Sequence, residues 1–163
     1  MNESSKVVSF AVPPVVKAVT VRCAPALAFR RFTEDLAAWW PLATHHISDD
    51  PRSCVLEGRV GGRLFERNGA GAETVWGIVE QWDPPRRLAF TWRVRVAAEQ
   101  AQRIDVTFTA APGGTRVELV HSGWENLGEA AAARRDSYDK GWARVFEQYY
   151  ADYANGGAPA PRN

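Results

Sequence analysis

Cysteine is almost missing from this chain. Cys23 and Cys54 are the only two in 163 residues, and neither belongs to a ligating or redox pattern. They read as buried small hydrophobes rather than a disulfide, with a reducing cytoplasm as the expected location. Charge of one sign is missing too: 20 basic against 19 acidic residues leave +1. Nucleic acid and anionic membranes are gripped through a strong basic excess, so neither partner is expected. No apolar run approaches the ~20 residues of a membrane helix, so membrane insertion is not expected. The opening "MNESSKVVSF" lacks the basic segment and long apolar core of a signal peptide. Histidine is scarce, three in all. Two are adjacent, in "THHISDD" (44–50) with Asp49 and Asp50. Neighbouring histidines share one ion poorly and no third lies near, so no metal site and no cofactor is expected. That loop can instead close a cavity mouth.

Aromatic residues are what the chain does have. Seven are tryptophan, and three of these fall in "WGIVEQWDPPRRLAFTW", Trp76 to Trp92. The length suits one domain. Residues 1–14 are expected to be flexible, 15–154 to form the domain, and 155–163 to be a disordered tail. "VVKAVTVRC" (15–23) has the β-branched content of a strand. Pro25 suits a first helical turn, and Ala28, Phe29, Phe32 and Leu36 follow at helical spacing. That stretch stops at Trp39-Trp40-Pro41, with room for a second short helix. From Cys54 to Trp124, turn chemistry recurs at Gly61-Gly62, "NGAG", "DPP" and "PGG", which describes an antiparallel meander. Residues 129–154 read as one long helix. Tyr138, Trp142, Val145 and Tyr149 form its apolar stripe.

Alternation in the strands predicts one apolar sheet face. It carries Leu64, Trp76, Ile78, Trp82, Leu88, Phe90, Trp92, Val94, Ile104, Val106, Phe108, Val117 and Leu119. Trp82 is expected opposite Leu88, Glu80 opposite Phe90, Ile78 opposite Trp92, Thr74 opposite Glu66 and Trp76 opposite Leu64. Ile104, Val106 and Phe108 should meet His121, Leu119 and Val117. Three polar residues fall on the same face: Glu66, Glu80 and His121. His121, expected in one row with Ile104, Val94 and Trp76, reads first as a hydrogen-bonded strand-end histidine and second as a ligand contact. A bare carboxylate at Glu66 loses its hydration, so it must meet a partner, the mouth or a polar ligand group. Glu80 reads as a rim residue. "GRVGG" lacks the Lys-Ser/Thr ending of a phosphate loop, and no serine has a nucleophile-elbow context.

"AFRRFTEDLAAWWP", "GRVGGRLFE", "WGIVEQWDPPRRLAFTW", "GGTRVELVHSGW" and "YDKGW" occur in this order. Together they resemble the activator of heat-shock-protein-90 ATPase homologue-like family, in the SRPBCC or START superfamily that also includes the birch pollen allergen. The resemblance spans about residues 15–150. It implies an α+β helix-grip fold: a strand, two short helices, a curved antiparallel sheet of six to seven strands, and a long C-terminal helix over an internal cavity. The protein that names the family has an additional N-terminal chaperone-binding domain, for which this chain has no room, so chaperone contact is not expected.

The expected function is to hold a small apolar or amphipathic molecule between sheet and helix. Its expected contacts are Trp40, Leu64, Glu66, Trp76, Ile78, Phe90, Trp92, Val106, Phe108, Leu119, His121, Trp124, Tyr138 and Trp142. The alternatives are a polyketide-cyclase or hydrolase-type enzyme using His121 and Glu66 as acid or base, or a stress-related chaperone or homodimer interaction module.

Overall fold

A computed structural model describes residues 12–157 and 159. Seven strands form one antiparallel sheet in the order β1-β7-β6-β5-β4-β3-β2. They are β1 (Val15–Val21), β2 (Pro51–Leu56), β3 (Arg63–Asn68), β4 (Glu73–Asp83), β5 (Arg87–Trp92), β6 (Gln102–Ala111) and β7 (Gly114–Ser122). Between β1 and β2 lie α1 (Pro25–Thr33) and α2 (Leu36–Trp39). A 3-10 stretch, Trp124–Ala130, leads into the long helix α3, residues 131–154. The fold is the helix-grip fold: a curved sheet around α3. Among the described residues no helix is long and apolar enough to cross a membrane.

Turn chemistry sets the strand ends where expected. The β6–β7 hairpin turns at Pro112-Gly113, and Gly113 takes φ 78, a left-handed value that disfavours any residue with a Cβ. At "NGAG" the Asn68 side chain accepts from the N–H groups of Ala70 and Ala72. The expectations for residues 1–11, 158 and 160–163 concern positions outside the described residues. Within them, Arg135 donates to the carbonyls of Pro13 and Pro14, and Asn155 accepts from the Arg22 N–H. Cys23 is half-buried, Cys54 is buried, and neither forms a disulfide.

The β6–β7 register matches the expectation: Ile104 faces His121, Val106 faces Leu119, and Phe108 faces Val117. So do Trp82 opposite Leu88 and Glu66 opposite Thr74. Between those two pairs the expectation fails. One irregularity lies at Leu64/Phe65 and another at Val79/Gln81. Leu64 therefore pairs with Gly77 rather than Trp76, and Phe90 pairs with Val79 rather than Glu80. Val79 takes the inward place in the core, Ile78 is only half-buried, and Glu80 is exposed on an ion pair with Arg103 at 2.7 Å. The row through His121 is Val15, His121, Ile104, Phe90 and Val79, not Val94 and Trp76. The physical reason is curvature. A sheet that wraps a helix bends at bulges, each of which flips the alternation, and the two flips cancel by Trp76 and Trp82. Gly77 lies at the first bend, where a Cβ would run into the Thr91 carbonyl oxygen.

The interior is packed solid over its α1 half. Phe29 meets Trp82 and Phe108 edge-on at 5.1 Å, and Phe32 lies 5.2 Å from both Trp39 and Tyr150. Trp82 thus packs on α1 at the end of β4 remote from Trp76. A π turn, Val145–Tyr150, interrupts α3. Its wider winding keeps Trp142, Phe146 and Tyr150, four apart, on the core side. Tyr149, expected on the stripe, is displaced to the half-buried flank beneath Arg144. On the outer face, Arg63 lies 4.2 Å above the Phe65 ring, which explains how an outward phenylalanine is buried.

Candidate functional site

A cleft of about 280 Å³ opens where α3, the end of β5 and the 41–50 loop meet. Its floor is four indoles. Trp40 lies 5.0 Å from Trp76, 6.1 Å from Trp92 and 6.0 Å from Trp142 between ring centres. Trp92 lies 5.9 Å from both Trp76 and Trp142. Every indole N–H in this group is used within the chain. Trp40 donates to the His45 carbonyl (2.9 Å), Trp76 to Glu66 Oε1 (2.8 Å), Trp92 to the Tyr138 hydroxyl (2.9 Å) and Trp142 to His121 Nδ1 (3.0 Å). The floor therefore offers carbon surface only. Pairs of such rings add about 0.5–1.5 kcal/mol each beyond burial, so the floor is stiff.

The walls carry the polar groups. Thr44, His45, His46 and Ile47 come from the loop, Val94 and Arg95 from the turn that follows β5, and Ser137, Tyr138 and Gly141 from α3. Tyr138 accepts from Trp92, and among the described residues nothing accepts its own proton. Burial pushes its phenol up, against the Trp92 bond and the charges of Arg134 and Arg95, so it stays a protonated donor. Burial, with Arg144 and His46 nearby, pushes His45 down toward the neutral ring. Gly141 is the gap in the wall: a Cβ there meets nothing within 4 Å. Glycine in mid-helix costs about 1 kcal/mol relative to alanine, and here that absence of a side chain leaves cleft space.

Glu66 holds the loop in place. It has no solvent exposure, and its carboxylate accepts from the Ile47 N–H (2.7 Å), the Ser48 N–H (2.8 Å), the Ser48 hydroxyl (2.6 Å) and Trp76. Burial pushes its carboxyl up, but these donors together prevail and hold it below the usual value. Charge-assisted bonds of about 1.5–3 kcal/mol each offset the several kcal/mol of burying a carboxylate. His121 is likewise enclosed. It lies 4.1 Å from the Trp124 ring, Nδ1 accepts from Trp142, and Nε2 stands 3.1 Å from Gln102 Oε1. Burial pushes its pKa down to about 3.

Of the residues expected to touch a ligand, Trp40, Trp76, Trp92, Tyr138 and Trp142 line the cleft. Leu64, Glu66, Ile78, Phe90, Val106, Phe108, Leu119, His121 and Trp124 do not. All of these but Ile78 are packed into the interior, and Ile78 sits at the β4 bends. The pairing of Glu66 and His121 as acid and base does not fit this geometry, since both are closed off by their own hydrogen bonds. Sequence reading gave no role to Arg95, Ser137 or Gly141. The one visible signal was a glycine inside an otherwise continuous helical pattern. Among the described residues no three His, Cys, Asp or Glu side chains gather as metal ligands.

A curved sheet, a gripped helix and a cleft at one end define a helix-grip protein of the SRPBCC type. The chain belongs to the Activator of Hsp90 ATPase homolog 1-like family, whose sequence model matches residues 22–151. Among solved structures it is similar to an anthrahydroquino-Gama-pyrone synthase, Txn09, complexed with SUM, at 35% identity. That match covers 80% of this chain and 89% of the synthase, with a TM-score of 0.54. A protein from Chromobacterium violaceum shares the fold at 17% identity and TM-score 0.62, covering 88% of this chain and 99% of its own. One from Nitrosomonas europaea does so at 14% identity and TM-score 0.61, covering 88% and 92%. No curated protein matches.

Proposed function

We propose that this protein binds a flat, amphipathic aromatic molecule in the cleft, its rings on the indole floor and an acceptor oxygen on the Tyr138 hydroxyl. The observation that carries this reading is the floor itself: four tryptophans whose N–H groups are all engaged, beside one phenol whose proton is not. The volume suits a ligand of two or three fused rings, just below the ~300–1,000 Å³ usual for small-molecule pockets. The fold is one used by ligand-binding and cyclase-type proteins. A second reading, catalysis, is supported by the 35% identity to a solved synthase. In that reading the groups able to move a proton at the cleft are Tyr138, His45 and His46 rather than His121 and Glu66.

The test is a calorimetric titration with 2-acetonaphthone, a flat ketone. Saturable binding is expected, weakened about three- to tenfold in Tyr138→Phe, which keeps the ring but removes the hydroxyl that donates to the ligand and accepts from Trp92. Absence of saturable binding to the native protein overturns the reading.

A further inference from the structure

We infer that the cleft selects ligands bearing an anionic oxygen group, a carboxylate, enolate or phenolate, which sits at the mouth against Arg95. The inference rests on the aromatic-binding reading above and adds the charge of the ligand. Among the described residues no aspartate or glutamate lines the cleft, while Arg95, His45 and His46 do. Elsewhere this chain pairs its arginines closely: Arg63 and Arg67 share Glu73, Arg87 and Arg103 share Asp105, and Arg52 meets Asp50. Among the described residues Arg95, Arg134 and Arg144 form no ion pair. Arg22, Arg30, Arg31 and Arg93 form none either, and of these seven only Arg95 lines the cleft.

Arg95 is placed at a conformational cost. Its φ of 61 is left-handed, a region that costs a residue with a Cβ of order 1 kcal/mol. One guanidinium nitrogen donates to the His46 carbonyl at 2.9 Å, which anchors the group at the mouth, and among the described residues its other donors meet no acceptor. Arg134 and Arg144 add to the same field, since Arg134 acts on Tyr138 and Arg144 on His45. The Glu66 carboxylate, which holds the loop, is fully buried, and its charge is spread over four donors. An anion at the mouth would meet an arginine fork and the Tyr138 hydroxyl together, a charge-assisted pair of contacts.

The experiment compares 2-naphthoate, ionised at neutral pH, with 2-acetonaphthone, its neutral counterpart, by calorimetry. Naphthoate should bind at least tenfold tighter, with the advantage shrinking in high salt. Arg95→Gln should remove most of that advantage and Arg95→Lys should restore much of it. Arg144→Gln, which touches no loop carbonyl, should reduce it while leaving the ketone unaffected. If both ligands bind equally, or the ketone binds tighter, the anionic subsite is overturned and the aromatic cleft stands. If neither binds, both are overturned. If Arg95→Gln weakens the ketone as well, the loop has moved and Arg144→Gln decides: an unchanged naphthoate advantage there overturns the inference.

Discussion

The indole N–H of Trp142 donates to Nδ1 of His121 over 3.0 Å, and this bond fixes the state of the buried histidine. With Nδ1 accepting, the ring proton sits on Nε2, where it faces Gln102 Oε1. Gln102 is held by its own amide, which donates to the Gln100 carbonyl at 2.8 Å. The ring is thus a neutral link between sheet and helix, with no nitrogen left for a substrate.

A pH dependence follows from that link. Burial puts the folded-state pKa near 3, below the ordinary 6.5. Between those values the unfolded chain holds a proton that the native protein does not. Stability should therefore rise with pH across that window, by up to about 1.4 kcal/mol per unit, and be lost as pH falls through it. His121→Phe should flatten this slope in denaturant melts from pH 4 to 7. At neutral pH it should cost about 1–3 kcal/mol for each partner left unpaired, Trp142 and Gln102.

Glu66 is expected to act as the anchor of the 41–50 loop. Glu66→Gln replaces one acceptor oxygen by an NH2 that faces donors, so stability should fall by about 2–3 kcal/mol. Hydrogen exchange should locate the change: the Ile47 and Ser48 amides should exchange at least tenfold faster, while those of β6 and β7 keep their relative protection. Because the carboxyl is held below its ordinary 4.5, its contribution is present above that value and lost as pH falls through the folded one. Acid should therefore loosen this loop too.

The main lines of this molecule were legible in the chain. Strand alternation and turn residues gave the β6–β7 pairing, and the Trp82–Leu88 pair beside "DPP". They did not give the bends in β4, because a period-two pattern assumes an unbroken pleat, and so Ile78 and Glu80 were assigned to the wrong side. The π turn escaped for a related reason: a 3.6-residue period favours Tyr149, whereas one extra residue in the turn puts Tyr150 in the core. The site was half legible. Sequence placed Trp76 and Trp92 on one sheet face, but how far α3 stands from the sheet depends on side-chain packing, which fills the α1 end and leaves the Trp40 end open.

Gly141 is where the helix gives up stability for space. Gly141→Ala should raise stability by about 0.5–1 kcal/mol in thermal or denaturant melts, since no atom opposes the new methyl. Gly141→Leu should also fold well, yet its side chain should fill the cleft and weaken 2-acetonaphthone at least tenfold.

The most direct measurement is an NMR titration of the seven indole N–H resonances, assigned by single Trp→Phe variants, with 2-acetonaphthone. The indole-floored cleft predicts saturable shifts for Trp40, Trp76, Trp92 and Trp142, with Trp39, Trp82 and Trp124 left in place. No saturable shift, or shifts centred on Trp39, Trp82 or Trp124, would contradict it.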